Sequence, residues 1–120
     1  MNIYIVEDDE LLTLMLERMV EKMGHSIVGK SQTGADAISS INTTDPDLVL
    51  MDIILQDDID GIQVVEQIKK KKNYPVIYIT GNSELAIRNR ADLFGYHDFI
   101  IKPASFDVLS QSISKVSNGS

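Results

Sequence analysis

The sequence predicts an α/β fold in which a five-stranded parallel sheet is doubly wound by five helices. Three observations support this class. Five short apolar segments alternate with five segments of helical periodicity. Three of the apolar segments are continuous, which is typical of strands that are covered on both faces. The 120 residues suffice for one domain and include no cysteine, so a disulfide framework is excluded.

Two strand–helix units occupy the first third of the chain. The continuous run IYIV at residues 3–6 predicts the first strand, and the helix after it is capped by Asp9 and ended by Gly24. The weaker run SIVGK at 26–30 predicts a strand nearer an edge of the sheet. A shorter second helix stops before Pro46, and its apolar residues are Ala35, Ala37, Ile38 and Ile41.

The third and fourth units follow the same pattern. The run LVLM at 48–51 predicts a central strand, and the helix after it ends in the basic run 69–72, which suits the helix dipole and indicates a solvated helix end. The run VIYI at 76–79 predicts the fourth strand. Ser83 can cap the fourth helix, which is expected to continue to Phe94.

The fifth unit completes the sheet and fixes its expected order. The run DFIIK at 98–102 predicts an edge strand, and Ser105 can cap a last helix. Because right-handed crossovers leave few arrangements for five such units, the expected strand order is 2-1-3-4-5. The domain is expected to span residues 1–117, and residues 118–120 form a disordered tail or the start of a linker.

Composition excludes several classes of function. A hydrophobic content of 43% indicates a folded chain, and the net charge of −7 argues against direct nucleic-acid binding. No segment reaches the roughly 18 apolar residues of a membrane span, and the N-terminus lacks the basic region of a secretion signal. A cytoplasmic location is therefore expected.

Polar residues follow four of the predicted strands. Glu7 and Asp8 follow the first strand, Asp52 the third, Thr80 the fourth and Lys102 the fifth. Ligands of such sheets bind at the carboxyl ends of the strands, where the strand order reverses. Clustered carboxylates repel one another, and Mg²⁺ (or Mn²⁺) holds them ionised. A lysine, a hydroxyl and a cation around one aspartate predict a phosphoryl-transfer site in which the aspartate is the nucleophile.

The motifs at these strand ends resemble a known family. They are VEDDELL at 6–12, LVLMDIILQDDIDG at 48–61, PVIYITG at 75–81 and FIIKP at 99–103. Over roughly residues 2–117 the chain resembles the receiver domain of two-component response regulators, including the stand-alone chemotaxis type. The resemblance implies a flavodoxin-like fold and a signalling switch rather than an enzyme.

The resemblance implies a role for each acidic position. Asp52 matches the phosphoacceptor, which takes a phosphoryl group from a phosphohistidine. Asp8 and Asp52 match direct metal ligands, Ile54 lends its backbone carbonyl, and Glu7 acts through water. The implied partner is a histidine kinase or a histidine phosphotransfer protein.

The resemblance also implies the moving parts. Thr80 matches the switch hydroxyl, and Phe99 the switch aromatic residue. Lys102 and Pro103 match the site lysine with a cis peptide bond. Ile54 and Asn82, each two residues after a site residue, are expected to tune the rate of dephosphorylation.

The expected output is a change on the surface formed by the fourth helix, the fifth strand and the fifth helix, around Ala86, Ala91 and Phe94. The charged homodimer that many DNA-binding regulators form through this surface is not expected. The residues Arg88, Arg90 and Asp98 lack enough partners for it, and the fifth helix carries only Asp107 and Lys115 as charges.

One departure from the family concerns the loop after Asp52. Asp60 and Gly61 lie eight and nine residues after Asp52, and the loop has no proline, so residues 53–60 form a loop one residue longer than usual. The path of this loop is left open. His25 and His97 precede strands and are expected to have surface or packing roles.

Alternative functions are weighed against the same residues. A flavin-binding carrier would need a phosphate cradle after the first strand, where acids stand. A phosphatase would place its nucleophile after the first strand, and not after the third. Two further alternatives stay open, namely the receiver module of a hybrid kinase or phosphorelay, and a pseudo-receiver that binds partners without phosphorylation.

Overall fold

Five parallel strands form one sheet in the order second, first, third, fourth, fifth in a computed structural model that describes residues 1–118. The strands are β1 (Asn2–Val6), β2 (Ser26–Ser31), β3 (Leu48–Met51), β4 (Val76–Thr80) and β5 (Asp98–Ile101). The predicted fold class and strand order are therefore confirmed. Every residue of β3 and β4 is buried, as their continuous apolar runs predict.

Five helices cover both faces of the sheet. They are α1 (Glu10–Lys22), α2 (Gly34–Thr44), α3 (Gly61–Ile68), α4 (Leu85–Asp92) and α5 (Phe106–Asn118). Residues of α2, α3 and α4 form one apolar cluster with the sheet, and residues of α1 and α5 form a second cluster on the opposite face. No helix among residues 1–118 has the length and apolar character that a membrane crossing requires.

Three predicted helix caps have different outcomes. The carboxylate of Asp9 accepts hydrogen bonds from the backbone N–H groups of Leu11 and Leu12, so it caps α1 as predicted. The hydroxyl of Ser105 likewise accepts a hydrogen bond from the N–H of Val108 at 3.2 Å. The prediction for Ser83 is wrong, because Glu84 occupies the cap position of α4 and makes no side-chain cap.

The start of α4 is set instead by Asn82. Its side-chain oxygen accepts a hydrogen bond from the N–H of Glu84 at 3.0 Å, a local turn that keeps residues 82–84 outside the helix. The helix ends at Asp92, two residues before the predicted end at Phe94. At the other chain end, α5 includes Asn118, the first residue of the predicted tail, and residues 119–120 lie outside the described part of the chain.

Candidate functional site

Three carboxylates meet at the carboxyl end of the sheet. Glu7, Asp8 and Asp52 each offer an oxygen within 4.8 Å of the others. The backbone explains this convergence, because the sheet hydrogen bonds continue one residue past the strands. The N–H of Glu7 donates to the carbonyl of Ser31 at 3.0 Å, and the N–H of Asp52 donates to the carbonyl of Val6 at 2.9 Å. Glu7 and Asp52 are thereby held at 2% and 5% exposure, respectively.

Lys102 supplies the positive charge at this cluster. Its Nζ lies 2.8 Å from Oε1 of Glu7 and 2.8 Å from Oδ2 of Asp52. Burial lowers the pKa of Lys102, but the hydrogen bonds and charges of Asp52 and Glu7 outweigh that effect and raise it. The N–H of Lys102 donates to the carbonyl of Thr80 at 2.9 Å, which anchors the lysine beside β4. The peptide bond between Lys102 and Pro103 is cis, as the resemblance implies.

The carboxyl group of Glu7 is poorly compensated by this single lysine. Burial raises its pKa to about 7, the hydrogen bond from Lys102 opposes that rise, and the charge of Asp52 adds to it. Further positive charge would therefore favour the ionised form of Glu7. A set of carboxylate oxygens fits a hard divalent cation such as Mg²⁺, so the chemistry of the donors suits the expected metal.

An open pocket of about 660 Å³ gives access to the cluster. Its lining residues are Asp8, Asp52, Ile54, Thr80, Gly81, Asn82, Ser83, Glu84 and Lys102. The structure thus brings Thr80, Ile54 and Asn82 to the same pocket as Asp8 and Asp52. The Ile54 side chain is 63% exposed, whereas Thr80 is buried. The Asp52 carboxylate is oriented by the N–H of Ile53, which donates to its Oδ1 at 2.7 Å.

Phe99 lies apart from this pocket, in an aromatic group between β4, β5 and α4. Its ring centroid is 5.7 Å from that of Tyr78 and 5.9 Å from that of Tyr96. The guanidinium carbon of Arg88 lies 4.4 Å from the Phe99 centroid, in the range of a cation–π contact. Phe99 is half-buried, so in this structure its ring is held between the core and Arg88.

The predicted output surface needs one correction. Ala86 is exposed and Phe94 is half-buried, but Ala91 is completely buried in the cluster that α4 forms with the sheet. The reason is that Ala91 lies on the side of α4 that packs against the sheet, whereas Ala86 lies on the exposed side of the same helix. Ala91 therefore belongs to the core and not to the surface.

Charged groups near this surface have partners inside the domain. Arg90 pairs with Asp60 at 2.9 Å, which joins α4 to the start of α3. Asp98 accepts a hydrogen bond from the hydroxyl of Ser112 at 2.7 Å, which joins β5 to α5. Together with the contact of Arg88 on Phe99, these interactions engage the three charges that the sequence singled out.

The loop of residues 53–60 is the part of the site that the sequence left open. It crosses toward α2, where the Asp57 carboxylate accepts hydrogen bonds from the N–H groups of Gly34 and Ala35. It closes through the N–H of Gly61, which donates to the carbonyl of Ile53 at 2.7 Å. Gly61 is required here, since a Cβ would lie 2.0 Å from the carbonyl oxygen of Asp52. Sequence reasoning did not identify Asp57, because its partners are 22 and 23 residues away.

The two histidines lie at the opposite end of the strands. Nδ1 of His25 is 2.8 Å from the N-terminal amino group, and Nε2 of His97 is 3.2 Å from the carbonyl oxygen of Ser112. These contacts agree with the packing and surface roles predicted for them.

Comparisons with known proteins agree with this architecture. The family model of the response regulator receiver domain matches residues 3–114. Chemotaxis protein CheY of Bacillus subtilis (strain 168) is 30% identical over 118 residues, which cover 98% of each chain. The signal receiver domain of a modulated diguanylate cyclase from Desulfovibrio desulfuricans G20 has a TM-score of 0.91 and 27% identity, covering 98% of this chain and 94% of that one.

A longer relative shows the same match within a larger protein. The transcriptional regulatory protein PdtaR of Mycobacterium tuberculosis (strain ATCC 25618 / H37Rv) is 31% identical over 112 residues. The match covers 93% of this chain and 54% of PdtaR, so the chain spans about half the length of that relative.

Proposed function

Because this chain belongs to the response regulator receiver domain family, we propose that it is a signalling switch controlled by phosphorylation of Asp52. The observation that carries the proposal is the position of the Asp52 carboxylate. It opens onto a pocket, lies 2.8 Å from the ammonium group of Lys102, and adjoins the carboxylates of Glu7 and Asp8. A nucleophilic carboxylate with fixed positive charge beside it is the arrangement that phosphoryl transfer requires.

The phosphoryl donor in this proposal is a phosphohistidine of a histidine kinase or of a histidine phosphotransfer protein. A carboxylate oxygen of Asp52 forms a bond to phosphorus while the bond between phosphorus and the imidazole nitrogen breaks. The electron pair of the broken bond remains on the imidazole. The ammonium group of Lys102, already at hydrogen-bond distance from Asp52, stabilises the negative charge of the transferring oxygens.

The metal site in this proposal uses the three clustered carboxylates and Ile54, which lines the adjoining pocket. Asp8 and Asp52 would be direct ligands, the backbone carbonyl of Ile54 a third, and Glu7 would act through water. Bound Mg²⁺ (or Mn²⁺) supplies positive charge to the carboxylates and to the phosphoryl oxygens. The raised pKa of Glu7 supports the proposal, since it marks a carboxyl group that lacks positive charge.

The switch in this proposal runs from Thr80 to Phe99. Thr80 lines the pocket, and its hydroxyl could donate a hydrogen bond to a phosphoryl oxygen and draw Thr80 toward Asp52. Phe99 can then turn inward and leave Arg88, which rests on its ring. Because α4 carries Arg88, this movement would alter the surface formed by α4, β5 and α5, through which the signal is passed on.

The lifetime of the phosphorylated state would depend on Ile54 and Asn82. Both residues line the pocket that Asp52 also lines, one in the loop after β3 and one after β4. The exposed apolar side chain of Ile54 cannot orient an attacking water, whereas the amide of Asn82 can.

The charged homodimer through α4, β5 and α5 stays disfavoured in this proposal. The contacts that Arg88, Arg90 and Asp98 make inside the domain support this view.

Phosphorylation with a small donor tests the proposed function. Incubation with acetyl phosphate and Mg²⁺ should add one phosphoryl group, measured by intact-protein mass spectrometry. Asp52→Asn should abolish the addition, whereas Asp58→Asn, which removes an exposed acid from the same loop, should not. Undiminished labelling of the Asp52 variant would disprove the assignment. A wild-type protein that is not labelled and does not bind Mg²⁺ would indicate a pseudo-receiver.

A further inference from the structure

The loop of residues 53–60 is anchored on a part of the domain that lies outside the phosphorylation pocket. The Asp57 carboxylate accepts hydrogen bonds from the N–H of Gly34 at 2.8 Å and from the N–H of Ala35 at 3.1 Å. One residue earlier, the N–H of Gln56 donates to the carbonyl of Gln32 at 3.3 Å. The middle of the loop is therefore attached to the first residues of α2 and to the segment before it.

Close packing reinforces this attachment. A Cβ at Gly34 would lie 2.6 Å from the Cβ of Ile59 and 2.7 Å from its carbonyl oxygen. Only glycine at position 34 lets the loop approach α2 this closely. The loop closes where the N–H of Gly61 donates to the carbonyl of Ile53, so Ile54 lies between the closing contact and the Asp57 anchor.

The anchor serves the loop more than it serves α2. The helix has its own cap, since the hydroxyl of Thr33 accepts a hydrogen bond from the N–H of Asp36 at 3.1 Å. Residues 53–59 belong to no helix or strand, and their conformation depends on such contacts. The hydrogen bond from Gly34 is the largest of the effects that lower the pKa of Asp57, so the anchoring carboxylate is ionised at neutral pH.

We propose that Asp57 is a positioning residue for the metal site, which holds the longer loop on α2 so that the carbonyl of Ile54 faces Asp52. The inference rests on the proposed function, in which the Ile54 carbonyl is a metal ligand. It also gives the longer loop a role, which is to carry Asp57 at the N–H groups of Gly34 and Ala35. Release of the anchor would let Ile54 sample conformations that turn its carbonyl away from the pocket.

Matched substitutions separate a positioning role from a capping role. Asp57→Ala removes both hydrogen bonds to α2, and Asp57→Asn keeps one acceptor. Thr33→Ala removes the other cap of the same helix without touching the loop, and Asp58→Asn makes the same change of charge as Asp57→Asn one residue away. Calorimetric titration of each full-length variant with Mg²⁺ gives the dissociation constant, and thermal denaturation without metal gives the stability.

The expected pattern differs between the variants. Asp57→Ala should weaken Mg²⁺ binding by about tenfold, the lower end of the loss that follows removal of groups orienting metal ligands. Asp57→Asn should have a smaller effect in the same direction. Thr33→Ala should lower the melting temperature and leave the dissociation constant unchanged, and Asp58→Asn should change neither. In metal-free protein, the Ile54 amide should exchange with deuterium faster in Asp57→Ala than in Thr33→Ala.

Two results would overturn the proposal. One is an Asp57→Ala variant that loses stability as Thr33→Ala does but keeps the wild-type affinity for Mg²⁺, because Asp57 would then be only a second cap. The other is an Ile54 amide whose exchange is the same in both variants. If wild type itself binds no Mg²⁺, the proposed function fails, and the exchange measurement alone still decides whether Asp57 holds the loop. If Asp57→Ala does not fold, Asp57→Asn takes its place in both measurements.

Discussion

Replacement of Tyr78 by phenylalanine is expected to stabilise the domain. Tyr78 lies in β4 with no exposed surface, and its hydroxyl has no hydrogen-bond partner among residues 1–118. The ring packs against Tyr96 and Phe99, with centroids 5.5 Å and 5.7 Å away. Phenylalanine keeps the ring and these contacts, and removes only the buried oxygen.

The expected size of the effect follows from the cost of burying a polar group without a partner. Such a group costs about 1–3 kcal/mol, and the small void left by the missing oxygen offsets part of the gain. Tyr78→Phe should therefore raise the free energy of unfolding by about 1 kcal/mol. In a domain of 120 residues, that change corresponds to a rise of about 4 °C in melting temperature.

Tyr4 provides the matched control. It lies in β1 with 2% exposure, and its hydroxyl is hydrogen-bonded to the hydroxyl of Ser31, which also donates to Asp36. Tyr4→Phe makes the same chemical change but leaves Ser31, also buried, with one partner fewer. This variant should lose about 1 kcal/mol, so the two substitutions should have opposite signs.

Urea denaturation followed by circular dichroism measures both effects. The slope of the unfolding free energy against urea concentration should be the same in both variants and in wild type. The shift in the urea midpoint then reports the change in the free energy of unfolding. A Tyr78→Phe variant that is destabilised as much as Tyr4→Phe would refute the reasoning. Its hydroxyl would then have a partner, such as a buried water, and would contribute to stability.

Two further predictions concern the phosphorylated state. Ile54→Asn should shorten the lifetime of the phosphoryl group on Asp52 several-fold, because a polar side chain at the pocket mouth can orient water. The decay rate is measured after removal of acetyl phosphate, and a rate equal to that of wild type would count against this role. Phe99 should change its side-chain rotamer when beryllofluoride, a phosphoryl mimic, is added with Mg²⁺, and the amides of α4 should shift with it because Arg88 rests on the ring; NMR spectra in which neither responds would exclude Phe99 as the switch.

The position of the site could be predicted because it depends on topology more than on packing detail. Parallel strands place their carboxyl ends along one edge, so the residues directly after β1, β3 and β5 and the last residue of β4 had to approach one another. Glu7, Asp52 and Lys102 accordingly lie within hydrogen-bond distance, although 95 residues separate the first from the last. The caps at Asp9 and Ser105 were predicted as well, since a cap depends on neighbours in the sequence.

The errors concern α4, where local signals are weak. This helix has eight residues, and the predicted cap Ser83 is not used, because Glu84 occupies the cap position and the Asn82 side chain bonds the N–H of Glu84. The prediction that Ala91 belongs to the output surface is wrong, because an alanine is compatible with either environment and only its contacts with the sheet decide that it is buried. The path of loop 53–60 could not be predicted either, since the contact of Asp57 with Gly34 joins two segments that are distant in the sequence.

The charges at the site explain why Lys102 alone does not neutralise the three carboxylates. If every group carries its charge, three carboxylates and one ammonium group leave a net charge of −2 at the carboxyl end of the sheet. Burial is the main cause that raises the pKa of Glu7 to about 7, and the charge of Asp52 adds to it, because protonation of Glu7 removes one of these buried negative charges. Lys102 cannot reduce the net negative charge of the cluster further, since its ammonium group already contacts both Glu7 and Asp52. A divalent cation would cancel the remaining charge in full and leave Glu7 ionised, and a second lysine would cancel only half of it.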